Sequence, residues 1–420
     1  MAPLLWSDVY LGPNSSIELL DVTSAPDGAT YAAGKALHPT EGWDVVVMKH
    51  RATGERAWVR TFRSDTHLDE QALAVATSKA GIVVVTGRYR GSSGAWGVLT
   101  AAWSSSGKRL WVKRLPRDAG GLSGEGRDVL VTPAGDVYVT GVHVRNGNGD
   151  VVVARYSRAG KLMWMKYVGG ASRYDQGNAL ARDGAGNLYA VGWVMTSDGD
   201  RDHFVAKYRP DGKRLWLKRT DAGQGDDDWA NAVAVRNGFV VIAGGGAKGV
   251  DETCGLVARY DTRGKLWWWW AVDKVSAPQA EYTQVGVDRY GHTIVAGWKD
   301  YVVGAGEDAF VARFEPWGDF DWEWYRRGLG SADDQATGLA VTAEGEIYVA
   351  GYYGAGASGL DVFAVKLRPG AQHTWATNLD LAGADDAALA LSLGAKGVCL
   401  AGANGDSALM LMYGKTPVAP

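Results

Sequence analysis

An all-β fold, a single propeller of eight blades with four antiparallel strands each, is what this sequence predicts. Three markers that keep phase along 420 residues predict it. A Trp recurs at Trp6, Trp58, Trp111, Trp164, Trp216, Trp268, Trp322 and Trp375, in steps of 52 to 54 residues. A Gly at the end of an apolar run recurs at Gly34, Gly87, Gly141, Gly192, Gly244, Gly297, Gly351 and Gly402. A second Gly stands four residues before most of the Trp positions, from Gly54 to Gly318, while Gly370 stands five before Trp375. A fixed period of this length marks a radial or linear repeat architecture.

Each repeat of about 53 residues reads as four short strands. In the fourth copy, Asn178–Arg182 is the first strand and Asp183–Asn187 a turn. Leu188–Val191 is the second strand, ended by Gly192, and Trp193–Arg201 a longer loop. His203–Tyr208 then alternates with period two, and after the turn at Gly212 the fourth strand is Lys213–Lys218. Short alternating runs between Gly, Pro and Asp turns are strand signals, and no sustained helical period competes with them. Small residues crowd the first strand, which suits the innermost position. The recurrent Trp lies on the fourth strand and is expected to pack between neighbouring blades.

The two ends fit the same scheme. Trp6 is in phase but has no strands before it, and the last repeat stops near Gly414, short of a Trp strand. Residues 3–10 are therefore expected to pair with the last blade and cover its open edge. The domain expectation is one propeller over residues 1–420.

Composition narrows the function classes. Gly is high at 58 residues and Trp at 19, while the hydrophobic share of 46% and the charged share of 22% are ordinary for globular chains. A net charge of −3 argues against a nucleic-acid binder, which carries a basic stripe. The apolar runs are strand-sized, so no transmembrane segment is expected. Cys254 and Cys399 have no metal-site spacing, and no basic and apolar leader opens the chain. No nucleophile elbow, phosphate loop, dinucleotide fingerprint or zinc motif occurs, so a non-enzyme is expected.

Strand order predicts that the longer loops, between strands two and three and between blades, share one face. Binding residues concentrate on loops held by a rigid scaffold. Acidic runs there, such as Asp69-Glu70, Asp226–Asp228, Asp333-Asp334 and Asp385-Asp386, are expected at the channel mouth, as a cation site, as an electronegative docking patch or as caps of strand ends. Two loops carry oxygen side chains at alternate positions: Asn146, Asn148 and Asp150, and Asp198, Asp200 and Asp202. Such spacing suits a hard cation such as calcium, although no EF-hand glutamate follows. Trp193, Trp298, Tyr352 and Tyr89 follow the strand-ending Gly, and Trp229 lies nearby in sequence. These aromatics are candidates to stack on a sugar or anchor a protein partner. In Trp267–Trp270, alternation sends two rings inward and two to the rim.

The string Asp202-His-Phe-Val-Ala-Lys-Tyr208 with Gly212 and Trp216 resembles the bacterial SBBP β-propeller repeat. Asp308–Phe314 and Asp361–Leu367 repeat the string. The resemblance implies an exported or surface-associated bacterial protein with no shared activity, and a count of seven blades, from which eight repeats depart. Thr53-Gly-Glu-Arg-Ala-Trp58 is also similar to the tryptophan-docking repeat of eight-bladed quinoprotein dehydrogenases and of a non-catalytic outer-membrane assembly scaffold. The vicinal cysteine pair of those enzymes has no counterpart here, and Tyr208 or Tyr260 fills the docking motif's acidic position. The expected function is a non-catalytic scaffold for a protein partner or assembly. The alternatives are a glycan-binding, calcium-assisted lectin and, more remotely, a quinoprotein-like enzyme.

Overall fold

The computed structural model describes residues 3–12, 16–40, 42–63, 68–115, 122–169, 174–221, 226–247, 253–271, 279–300, 306–328, 333–356, 359–380 and 385–415. It is an eight-bladed β-propeller: eight four-stranded antiparallel sheets, with no α-helix among the described residues. Blades 1 to 7 run in chain order, from Ile17–Phe62 for blade 1 to Gln335–Leu379 for blade 7. Blade 8 comprises Asp386–Leu393, Gly397–Asn404 and Ser407–Gly414, with Leu4–Tyr10 as its fourth strand.

Contacts divide the chain into two compact units, residues 3–180 with 392–415 and residues 181–391. In the first unit, Trp6 pairs with Met412 and Tyr10 with Ala408, so the expected closing strand forms at residues 4–10. The Ile17 N–H donates to the Asp406 carbonyl at 2.9 Å and ties blade 1 to the neighbouring turn. The unit's core is Val, Ala and Leu from middle strands, such as Val45, Val47, Val83, Val85 and Leu99. The second unit has the same kind of core, with Val241, Val257, Val295, Phe310 and Phe314 in one cluster.

The repeat markers have physical causes. In six blades the first strand carries a β-bulge opposite the recurrent Gly, as between Ala72 and Ala74 opposite Gly87. The bulge pushes a carbonyl toward the second strand. A Cβ on Gly34, Gly87, Gly141, Gly244, Gly297 or Gly351 would lie only 1.8–2.0 Å from that oxygen. Only Gly fits there. It does not end the strand, as expected from sequence: the second strand of blade 4 runs Leu188–Met195, and Trp193 pairs with His203. The expected loop Trp193–Arg201 therefore shrinks to residues 196–200, because the pleat continues through the Gly.

The second Gly turns the chain at positive φ, from 78° at Gly160 to 106° at Gly318. The Trp of the preceding blade lies against it. Trp58, Trp111, Trp216, Trp268 and Trp322 each donate their indole N–H to a carbonyl of that turn, at 2.7–3.1 Å. These five Trp residues thus pack between blades within each unit, and the one polar atom of each is satisfied.

Candidate functional site

The acidic residues before the first strands do two jobs. Asp69, Asp227, Asp333 and Asp385 each accept a backbone N–H from the start of the third strand one blade earlier, at 2.8–3.2 Å. The next acid turns in at the blade junction: Glu70, Asp175, Asp228, Asp334 and Asp386 are all buried. The buried set offers no open electronegative patch, while Asp333 and Asp385 stay exposed, and the capping alternative describes the first set.

The two oxygen-rich loops differ from each other. Asn146 and Gly147, both at positive φ, form a two-residue hairpin turn closed by the Arg145–Asn148 pair. This shape needs residues tolerant of positive φ, which explains Asn-Gly. Asp150 lies two residues inside the strand, buried, with Arg145 Nε at 2.7 Å. The oxygens of Asn146, Asn148 and Asp150 therefore do not form one tight loop. In the other hairpin, the Thr196 hydroxyl donates to Asp200 and Asp198 is exposed. Burial first, then the charges of Asp221 and Asp200, push the Asp202 carboxyl up.

The aromatic candidates are mostly covered. Trp193 and Trp298 are only 8% exposed, so the open stacking faces expected there are absent. Tyr89, Trp229 and Tyr352 are half-buried. The covering groups are cations and acceptors that sequence spacing did not reveal. The Arg201 guanidinium lies 4.8 Å from the Trp193 ring, and Arg114 lies 5.4 Å from Tyr89. Trp229 donates its indole N–H to Glu281 at 2.7 Å. Burial, then the charges of Glu307, Asp333 and Asp334, push the Tyr352 hydroxyl up to about 12.

Two other surfaces stand out. In the first unit a cavity of about 420 Å³ is lined by Leu20, Leu73, Arg88, Glu125 and Arg127. Leu20, Leu73 and Arg127 are bulge residues of three successive first strands, a position that period-two reading cannot assign to a face. Glu125 is 2.6 Å from Arg127 and 3.6 Å from Arg88, which leaves one net positive charge able to meet a carboxylate or sulfate. In the second unit the outer strands Leu266–Ala271 and Phe320–Arg326, with the turn before the latter, expose Trp267, Trp269, Trp317, Phe320 and Tyr325 by 45–66%. The alternation expected in the Trp run holds: Trp268 and Trp270 face inward, against Phe314 at 6.2 and 5.1 Å.

The class of protein is an eight-bladed β-propeller, and the type of repeat can be stated. Residues 164–193 match the family model SBBP, a β-propeller repeat. No curated protein matches the chain. Among solved structures, an ulvan lyase from a family of polysaccharide lyases is 11% identical, with a TM-score of 0.52, over 98% of this chain and 96% of that one. The WD40 β-propeller domain of Doa1 is 9% identical, with a TM-score of 0.46, over 82% and 92%. A protein of unknown function from Bacteroides caccae is 13% identical, with a TM-score of 0.38, over 71% and 97%. Likeness at such identities concerns the fold alone. No described helix is long and apolar enough to cross a membrane.

Proposed function

We propose that the protein is a single-domain, non-catalytic binding propeller that engages a protein partner through its rim at blades 5 and 6. The exposed aromatic group of Trp267, Trp269, Trp317, Phe320 and Tyr325 carries this reading. Large exposed aromatics on the outer strands of neighbouring blades can supply the anchor residues that dominate protein interfaces. Solvent gives no reason to keep so many large aromatics exposed. At the register position of Trp267, blade 2 carries Leu110, an aliphatic residue.

The test is site-specific photo-cross-linking in the native host, with the probe placed at Trp267 and, as control, at Leu110. A discrete protein adduct from Trp267 alone supports the rim reading. Adducts from both positions, or from neither, reject it.

A further inference from the structure

Asp361, Asp380 and Asp386 meet at the junction of blades 7 and 8. One carboxylate oxygen from each lies within 4.8 Å of the other two. Asp361 is 4% exposed and Asp386 fully buried, while Asp380 opens to solvent. The Asp361 Oδ2 accepts the Tyr353 hydroxyl at 3.2 Å. Its Oδ1 is buried with no hydrogen-bond partner. A buried carboxylate oxygen without a donor is costly unless something cationic meets it.

The repeat shows what is missing. Asp361 stands 53 residues after Asp308, and Asp380 stands 53 residues after Arg327. At that earlier junction the Arg327 guanidinium grips Asp308 through three contacts of 2.8–3.2 Å. Buried Asp334 there corresponds to Asp386 here. One junction thus holds two carboxylates with a guanidinium, and the next holds three carboxylates with an aspartate in its place. Burial and the Asp380 charge push the Asp361 carboxyl up, opposed by the Tyr353 hydroxyl and by Arg326. The same three positions are Asp202, Asp221 and Asp228 between blades 4 and 5, where the Asp202 Oδ1 is again buried without a partner.

We propose that Asp361, Asp380 and Asp386 bind a calcium ion that replaces the guanidinium of the preceding junction. All the donors are hard oxygens, and calcium–oxygen bonds of about 2.3–2.6 Å place ligand oxygens up to about twice that length apart. The spread of the three carboxylates fits that range. Asp380's open side leaves room for the waters that complete the shell. The inference is independent of the rim reading, and it concerns a different site from the hairpin of Asp198 and Asp200.

The test is calorimetric titration of chelator-stripped protein with calcium chloride. Binding with a dissociation constant of about 0.1–1 mM, the range of weaker calcium modules, is expected. Asp380→Arg should remove one site from the stoichiometry. It should also make the calcium-free protein melt higher than calcium-free wild type, because the introduced guanidinium can grip Asp361. Should that variant not fold, Asp380→Asn should bind calcium at least about tenfold more weakly, having lost one charged ligand. No heat from wild type, or unchanged binding in the variant that folds, overturns the proposal.

Discussion

Ala371 shows how one residue bears on a turn. Its φ is +64°, the left-handed region that Gly54, Gly107, Gly160, Gly212, Gly264 and Gly318 occupy in other blades. An L side chain there costs about 1–2 kcal/mol, partly offset because Gly loses more entropy on folding. Ala371→Gly should therefore raise unfolding stability by about 0.5–1 kcal/mol, read from urea denaturation. The irregularity was visible beforehand, since Gly370 stands five rather than four residues before Trp375. Its meaning was not visible, because sequence spacing does not say which residue of a turn takes positive φ.

At the scale of elements, the bulged first strands link neighbouring blades through half-buried acids. Asp21 accepts the backbone N–H groups of Val22 and Val75, and Asp128 those of Val129 and Leu180, at 2.7–2.8 Å. Burial outweighs these donors and pushes Asp21 up to about 7 and Asp128 up to about 6. Both values lie above the unfolded value of 3.8, so the folded state holds these protons more tightly. Their contribution to stability is complete below about pH 4 and declines as pH rises through the folded values. The urea stability of wild type minus that of Asp21→Asn should therefore fall between about pH 4 and pH 7 and then level off. A difference that stays flat across that window rejects the assignment. The four strands per blade were legible from alternation and turn residues. The bulges were not, because one extra residue shifts which face a side chain takes without altering composition. The same limit hid the cations covering Trp193 and Tyr89, which come from a paired strand or the outer strand of the blade.

For the molecule as a whole, the repeat count and the terminal strand were legible because three markers kept phase independently. The rim was half legible, since Trp267–Trp270 announced alternating faces but the exposure of Trp317, Phe320 and Tyr325 had no periodic signal. The paired acids of the blade junctions read as surface loops, because burial at a junction leaves no local trace in one repeat. Deleting residues 3–10 should uncover the Ser407–Gly414 strand, whose backbone pairs with them. An uncovered edge templates pairing with another chain. The truncated protein should therefore show more concentration-dependent association than the full chain, read by sedimentation.

The pairing of Leu4 with Tyr413 also sets a clock. At about 5–20 residues per second, the ribosome delivers the second partner roughly 20–80 s after the first. Through that interval the apolar strand Leu4–Tyr10 has no sheet to join, and every other blade can be in place before it docks. The earlier-made partner of this pair waits for the later one, so a nascent chain stays dependent on whatever shields Leu4–Tyr10 until the Ser407–Gly414 strand has been made.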